Sequence, residues 1–297
     1  SLINLPPADP VMLHHVARRL ARERDAYPEK RMALIVVDGL ALDQWITLRP
    51  IMKEQFPNLK MQESAVFAWI PSLTSVSRQA IFSGKAPRYF PNSIDSTNSE
   101  ESLWRQFWEN YKLKKYEIAY QRRLGSGDAI QSLNPGMDHS SIKALGLVVD
   151  KVDKIMHGMQ LGSSGMHNQV SQWGEIGYLG NLIHHLVDLG YEVWMTSDHG
   201  NIECQGRGRP AEGVIAETRG ERARVYQTHQ LRSQVSSSYT FAHEWEPDGL
   251  PSDYYPLVIS GREAFVPEGD SIVGHGGISI EEVIVPLIKF EKSESSK

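Results

Sequence analysis

The chain has 297 residues, of which 40% are hydrophobic and 23% charged, and its formal net charge is −5 at pH 7. This composition is typical of a globular α/β protein and excludes both a disordered chain and one whose whole surface is basic. The single cysteine, Cys204, excludes an internal disulfide and a thiolate zinc cluster, so a metal site would need His and carboxylate ligands.

Apolar runs alternate with amphipathic segments along the chain. Residues 11–27 predict a surface helix, as an N-terminal lead-in over about residues 1–30, and MALIVV at 32–37 predicts a strand buried on both faces. Further strands are predicted at 65–70, 116–120, 145–149, 191–195, 255–259 and 283–290, and helices at 42–56, 102–111 and 169–189. This alternation predicts an α/β fold with a doubly wound, mostly parallel sheet sandwiched by helices.

Two segments interrupt this alternation. Residues 121–140 are rich in Gly, Ser, Pro and Asn and predict a loop, and residues 201–252 are too long for a plain connection. We expect the second segment to be an inserted cap within a catalytic domain of residues 31–297. Since the chain opens on Ser1 and ends in the polar tail EKSESSK, we expect a domain excised from a longer parent. Without a signal peptide or an apolar run of membrane-spanning length, a cytoplasmic location without a membrane partner is expected.

Polar residues follow most of the predicted strands. Because the carboxyl ends of parallel strands open on one crevice, we expect these side chains to converge there. Each has an ordinary alternative explanation, such as a helix cap or a turn. The residues are Asp38, Thr74, Asp150, Asp153, His157, Asp198, His199 and His275.

Two of these spacings suit a bound cation. Asp153 and His157 are four residues apart, so they can share one face of a helix, although a solvated helix with alternating Lys and Asp is the alternative. Asp198 and His199 are adjacent and precede Gly200, which permits a tight turn.

The segment 70–84, IPSLTSVSRQAIFSG, predicts a loop that enters a helix. Thr74 or Ser75 would lie at the helix N-terminus, where free N–H groups and the dipole favour a phosphate or sulfate, although a plain N-cap is the more ordinary use. A metal can activate such a hydroxyl as a nucleophile. Arg78, one turn further along, suits a phosphoryl oxygen.

Five motifs in this order resemble the alkaline phosphatase superfamily, over nearly the whole chain. They are Asp38, P-x-x-T ending in S-G at 71–84, D-x-x-x-H at 153–157, D-H-G at 198–200 and H-G-G at 275–277. The spacing from Pro71 to Gly84 is similar to that of the nucleotide pyrophosphatase/phosphodiesterase branch. The closest resemblance is to the PglZ domain of bacterial phage-exclusion systems, in VVDGLALDQW, PSLTSVSRQAIFSG, GERARVY and HGGISIEEVIVP at 36–45, 71–84, 220–226 and 275–286.

This resemblance implies two divalent metal ions. One would be held by Asp153, His157 and His275, and the other by Asp38, Asp198 and His199, with Thr74 contacting it through Oγ. Such a pair, about 4 Å apart, activates the attacking oxygen and stabilises the leaving oxygen of a displacement. The mixed His and Asp ligands favour Zn²⁺, with Mn²⁺ as the alternative.

The implied activity is that of a metal-dependent phosphodiesterase or nuclease acting on a nucleotide or nucleic acid in phage defence. Thr74 would attack phosphorus, and water would then hydrolyse the phospho-threonyl intermediate. A phosphomonoesterase or sulfatase with the same site is an alternative, as is a scaffold without catalysis in a defence complex. The implied partners are other phage-defence proteins.

Two groups of residues are candidates for substrate binding. Ser77, a substrate-binding candidate, and Arg78, a catalytic candidate together with Thr74, stand where the phosphodiesterase branch has an Asn-His pair, so contacts to the phosphoryl group must differ. Arg78 either replaces them or is a structural ion-pair partner. The second group is basic and lies in the predicted cap, where a phosphate backbone could follow it, unless nearby acidic residues pair with it. It comprises Arg207, Arg209, Arg219, Arg222 and Arg224, of which Arg222 and Arg224 are the substrate-binding candidates.

Overall fold

The structure, a computed structural model, describes residues 2–4, 9–210 and 216–293, with the backbone alone for residues 2 and 216–219. The strands in these ranges are β1 (Arg31–Val37), β2 (Leu59–Phe67), β3 (Ile118–Leu124), β4 (Ala144–Val149), β5 (Tyr191–Thr196), β6 (Ile202–Gly206), β7 (Ala216–Arg219), β8 (Ala223–Tyr226), β9 (Ala242–Glu244), β10 (Tyr255–Ile259), β11 (Glu263–Ala264), β12 (Ser271–Gly274) and β13 (Ile284–Lys292). The α-helices are α1 (His14–Ala26), α2 (Leu42–Gln55), α3 (Thr74–Ser83), α4 (Glu100–Asn110), α5 (Lys151–His157), α6 (Gly162–Ile176), α7 (Tyr178–Asp188), α8 (His229–Ser236) and α9 (Ile280–Val283). None of the described helices is long and apolar enough to cross a membrane.

Six strands form the central sheet, in the order β2-β13-β5-β1-β4-β3. The neighbours β5, β1, β4 and β3 pair in parallel, whereas β13 pairs antiparallel with both β2 and β5. Among the described strands of this sheet, β13 alone is therefore reversed. The predicted mostly parallel, doubly wound sheet is confirmed.

Helices cover both faces of this sheet. Because side chains alternate along a strand, Ile35 and Val37 of β1 face a core shared with α2, α5, α6 and α7. Leu34 and Val36 face a second core, shared with α1, α3 and α4. Strands β4 and β5 are buried at every residue, which explains why their sequences are continuous apolar runs rather than alternating ones.

Several predicted elements differ from the structure. The strand predicted at 65–70 is the last part of β2, which begins at Leu59 and ends at Phe67, and residues 121–124 of the predicted loop belong to β3. The helix predicted over 169–189 is two helices, because Gly177 between α6 and α7 has a φ of 79°, in the left-handed region that ends a helix. The strand predicted at 255–259 is β10, but it pairs antiparallel with β8 and β9 outside the central sheet. An apolar run that is buried between two layers has the same appearance in either sheet, so the sequence pattern did not separate these cases.

Two smaller sheets, β7-β8-β10-β9 and β11-β6-β12, lie beside the central sheet. The predicted insertion, residues 201–252, supplies β6 to β9 and α8, while β10 to β12 follow it in the chain. The segment 275–277 packs tightly in this region: a Cβ at Gly277 would lie 2.3 Å from the carbonyl oxygen of Ile259, so only glycine fits there. That residues 201–252 act as a cap remains a proposal.

Candidate metal centre

Strand ends position most of the predicted ligands. Asp38 follows β1, Asp198 and His199 follow β5, and Thr74 begins α3 after β2. The remaining ligands come from two other places: Asp153 and His157 lie in α5 after β4, and His275 directly follows β12. The structure brings these seven residues together as two neighbouring groups.

The first group is Asp38, Asp198 and His199, all buried, with one ligand atom from each lying within 4.8 Å of the others. His199 Nε2 is 3.7 Å from Asp38 Oδ1 and 3.5 Å from Asp198 Oδ2. Thr74 Oγ1 lies 3.0 Å from the same nitrogen. A hydroxyl, two carboxylates and an imidazole therefore surround one point.

Backbone carbonyl groups fix the orientation of two histidines. His199 Nδ1 lies 2.8 Å from the carbonyl oxygen of Gly200, and His275 Nδ1 lies 2.8 Å from that of Ser72. Since a carbonyl oxygen only accepts, each Nδ1 carries the proton, and each Nε2 keeps its lone pair. This tautomer is the one that a histidine ligating through Nε2 needs.

Among the described residues, no hydrogen-bond donor reaches two buried carboxylate oxygens of the first group, Asp38 Oδ1 and Asp198 Oδ2. The second oxygen of each carboxylate is occupied: Asp38 Oδ2 accepts from Arg78, and Asp198 Oδ1 accepts from the N–H groups of Gly39 and His199 at 3.0 and 3.1 Å. A buried carboxylate oxygen without a partner is destabilising. The ligand atoms of the first group therefore fit a divalent cation, which would bind both unpaired oxygens.

Burial, together with the nearby charge of Asp38, raises the pKa of Asp198 well above its ordinary value. The metal-free site thus disfavours two ionised carboxylates side by side. A bound dication would reverse this preference, because it stabilises the ionised form.

The second group is Asp153, His157 and His275, whose ligand atoms also lie within 4.8 Å of one another. His157 Nε2 is 3.3 Å from Asp153 Oδ1, and this hydrogen bond raises the pKa of His157. Burial, with His199 nearby, lowers the pKa of His275 to about 4, so that this ring is neutral and able to ligate. The two groups meet where the rings of His199 and His275 stack, with centroids 3.7 Å apart.

Arg78 is directed at protein carboxylates. Its Nη1 donates to Asp38 Oδ2 at 2.8 Å, and its Nη2 donates to a Glu100 oxygen that also accepts from the Tyr120 hydroxyl. The structure thus places Arg78 in the ion-pair arrangement, the alternative to a phosphoryl contact. Glu100 and Tyr120 were missed from the sequence, because no motif or strand end marks them.

Three other predicted substrate contacts lie in the interior. Ser77 Oγ accepts from the N–H of Trp69 at 3.3 Å, and Arg222 is fully buried, with Nε and Nη2 donating to Glu282 at 2.8 and 2.9 Å. Arg224 is buried and donates to carbonyl groups, including that of Phe265 at 3.4 Å. Because these side chains form hydrogen bonds to groups within the protein, we do not include them in the proposed substrate site. Arg207 and Arg209 are exposed, and the side chain of Arg219 lies outside the described residues.

Gly200 has a different role from the predicted tight turn. Its φ is not positive, so a left-handed turn is not the reason for glycine here. A Cβ at this position would lie 1.9 Å from the carbonyl oxygen of Glu281. Its N–H donates to the carbonyl of Glu282 at 2.9 Å. Glycine at this position therefore allows the backbone after His199 to pack against the segment that precedes β13.

Comparison with known proteins agrees with the fold. A family model described as the BREX system PglZ alkaline phosphatase-like domain matches residues 16–290. Among solved structures, murine ectonucleotide pyrophosphatase/phosphodiesterase 5 superposes with a TM-score of 0.65 at 10% identity, over 88% of both chains. An inactive form of that murine protein, with a threonine replaced by alanine and in complex with AMP, gives 0.64 at 11%, and the human protein gives 0.59 at 12%, again over 88% of both chains. At these identities the likeness shows the fold. Comparison with curated protein sequences gives no match.

Proposed function

The chain belongs to the PglZ family, the alkaline phosphatase-like domain of BREX phage-defence systems, and from this membership we propose that it is a metal-dependent phosphodiesterase or nuclease-type hydrolase. Thr74 is the proposed nucleophile. The observation that carries this proposal is the 3.0 Å contact between Thr74 Oγ1 and His199 Nε2, beside two buried carboxylate oxygens that lack donors.

The two groups would hold two divalent ions, Zn²⁺ by the preference of mixed His and Asp ligands or else Mn²⁺. Asp38, Asp198, His199 and Thr74 would hold one, and Asp153, His157 and His275 the other. Bound there, the ions would lower the pKa of the attacking hydroxyl and neutralise the charge of the phosphoryl group.

The remaining chemistry is carried out by residues of the chain. Thr74 is the first residue of α3, a helix of ten residues, so a phosphoryl group beside its hydroxyl would also meet the positive end of the helix dipole. Thr74 Oγ1 gives up its proton to solvent and forms the new bond to phosphorus, while the bond to the leaving oxygen breaks and that oxygen departs as an alcohol after taking up a proton. Water then hydrolyses the phospho-threonyl group, which releases a phosphomonoester and regenerates the hydroxyl.

The substrate class is proposed from the neighbouring structures and from surface charge. The murine phosphodiesterase that shares this fold was solved with AMP, which supports a nucleotide or nucleic-acid phosphoester for this chain. Arg207 and Arg209, which are exposed after β6, would attract a phosphate backbone even though the net charge is −5. Other proteins of the defence system are the proposed partners.

The test is metal-dependent hydrolysis of two synthetic substrates by the purified chain. Metal-free protein would be titrated with Zn²⁺ or Mn²⁺ and assayed on bis(4-nitrophenyl) phosphate, a diester, and 4-nitrophenyl phosphate, a monoester. We expect turnover of the diester to rise with metal occupancy and to exceed turnover of the monoester. A faster monoester reaction would instead identify a phosphomonoesterase.

Metal analysis separates catalysis from a scaffold role. Two equivalents of metal in the folded chain support the proposal. The chain would be identified as a scaffold if its metal content is clearly substoichiometric, if added Zn²⁺ or Mn²⁺ does not restore it, and if neither ester is hydrolysed.

A further inference from the structure

We propose that Glu100 is a positioning residue for the first metal group, acting through Arg78 on the carboxylate of Asp38. This inference rests on the proposed function, because it assigns a role toward the cation that Asp38 would hold. Among the described residues, no hydrogen bond joins Glu100 to the three ligands of that group, and the Arg78 guanidinium bridges Glu100 and Asp38.

The geometry is a line of four side chains, of which Asp38, Arg78 and Glu100 are buried and Tyr120 is half-buried. Tyr120 of β3 donates its hydroxyl to Glu100, which is the first residue of α4. Arg78 of α3 donates to the same Glu100 oxygen and, at 2.8 Å, to Asp38 Oδ2. The side chains of Glu100, Arg78 and Asp38 are 1%, 7% and 6% exposed, so water does not screen this line effectively.

Arg78 determines which Asp38 oxygen is available. Because Oδ2 accepts from the guanidinium, Oδ1 is the oxygen that lies 3.7 Å from His199 Nε2 and lacks a donor. A fixed carboxylate with one free oxygen is oriented for a single metal bond. This is the role that hydrogen-bond partners of metal ligands have in general.

A buried guanidinium beside a cation site creates an electrostatic problem. The guanidinium of Arg78 stays positive and pairs with the carboxylates of both Glu100 and Asp38. This positive charge contacts a proposed metal ligand and would weaken the binding of a dication. An ionised Glu100 offsets it: burial raises the pKa of Glu100, but the charge of Arg78 and the hydrogen bonds from Arg78 and Tyr120 oppose that rise and favour the ionised form.

Glu100→Gln tests this role, because it removes the charge and keeps the shape and one acceptor oxygen. The background is His157→Ala, which lacks a ligand of the second group, so that Zn²⁺ titration against a chromophoric chelator reports the first group alone. We expect Glu100→Gln to weaken Zn²⁺ binding by about 10-fold or more, the usual effect of losing a partner of a metal ligand. Arg78→Gln/Glu100→Gln, which removes both charges and leaves an amide donor for Asp38, should recover most of that affinity.

Glu192→Gln is the matched control. Glu192 is also a buried carboxylate, paired with Lys30 at 2.8 Å and Lys289 at 3.3 Å, but it lies near the amino end of β5, opposite the metal groups. If Glu100 only stabilises the start of α4, Glu100→Gln will lower the melting temperature of the metal-free protein without changing its Zn²⁺ affinity. The proposal is overturned if Glu100→Gln binds Zn²⁺ as tightly as its background, if Glu192→Gln weakens binding equally, or if the double variant binds more weakly still.

Tyr120→Phe covers the case in which Glu100→Gln fails to fold. It removes one hydrogen bond from Glu100 without changing charge, and we expect a smaller but measurable loss of Zn²⁺ affinity; unchanged affinity would contradict the proposal. Failure of this inference is distinguishable from failure of the proposed function. If the unsubstituted chain binds neither Zn²⁺ nor Mn²⁺, the proposed function fails, whereas tight Zn²⁺ binding that is unaffected by position 100 refutes the positioning role alone.

Discussion

Thr74 Oγ1 lies 3.0 Å from His199 Nε2, although the two residues are 125 positions apart in the chain. The contact forms because α3 begins beside the strand end from which His199 emerges. Since Nδ1 of His199 donates to the carbonyl of Gly200, Nε2 is the lone-pair nitrogen that faces the hydroxyl. The relationship joins the proposed nucleophile to a proposed metal ligand.

His199→Ala should remove one metal ion without unfolding the domain. The first group would lose its imidazole ligand, while Asp153, His157 and His275 remain. We expect the metal content measured by plasma mass spectrometry to fall from two equivalents to one, with a native circular dichroism spectrum. His167→Ala, outside both groups, should keep two equivalents. Retention of both ions in His199→Ala would remove His199 from the ligand set.

Asp198→Asn should stabilise the metal-free protein while abolishing metal binding at the first group. Burial raises the pKa of Asp198 in the folded state, because the ionised side chain destabilises the fold and the neutral one does not. The stability that the neutral form gives is therefore fully present below the unfolded pKa and is lost as the pH rises through the folded pKa. Asparagine carries no charge and keeps the oxygen that accepts from Gly39. At pH 8 without metal we expect a rise in melting temperature of about 2–4 °C, for about 1 kcal/mol. The difference should shrink toward pH 4, and a variant that melts lower at pH 8 would contradict this account.

Arg222→Met should destabilise the fold rather than weaken substrate binding. The substitution leaves Glu282 buried without its ion-pair partner, which costs about 3–5 kcal/mol in the free energy of unfolding. Urea denaturation measures this loss. The exposed Arg207 gives the opposite expectation. Arg207→Ala should keep a stability within about 0.5 kcal/mol of wild type, and it should bind single-stranded DNA more weakly and with a smaller dependence on salt. Wild-type stability of Arg222→Met would refute the structural role.

Zn²⁺ binding at the second group should weaken as the solution becomes more acidic. The hydrogen bond with Asp153 raises the pKa of His157 above its ordinary 6.5, so below that pKa the metal must displace a proton. In His199→Ala, which retains the second group, we expect Zn²⁺ affinity to fall by about tenfold per pH unit below this pKa. Chelator competition from pH 5 to 8 would show it. A flat profile would exclude His157 as a ligand.

The sequence predicted the fold well where burial leaves a clear pattern. The continuous apolar runs of β1, β4 and β5 marked the centre of the sheet, and polar residues after them marked its carboxyl edge. The split at Gly177 and the assignment of β10 to a second sheet depend on backbone geometry and on pairing partners, which an apolar run does not encode. Strand direction was equally hidden, since β13 is reversed but opens with an apolar run like those of the parallel strands.

The candidate site shows the same division. Asp38, Thr74, Asp198 and His199 were found because strand ends and motifs mark them, and whether they bind metal remains a prediction. The basic residues were harder to interpret, because an arginine in a sequence resembles a phosphate contact whether it is exposed, as Arg207 is, or buried against a carboxylate. The partners that decide this, Glu100 for Arg78 and Glu282 for Arg222, lie 22 and 60 residues away.

The most direct test of the account is the turnover of bis(4-nitrophenyl) phosphate by Thr74→Ala, with metal content measured in the same sample. We predict that the variant retains both metal ions but loses turnover by about a thousandfold or more, as expected when a nucleophile is removed. Thr74→Ser, which keeps a hydroxyl, should retain measurable activity. Wild-type turnover by fully metal-loaded Thr74→Ala would contradict the account.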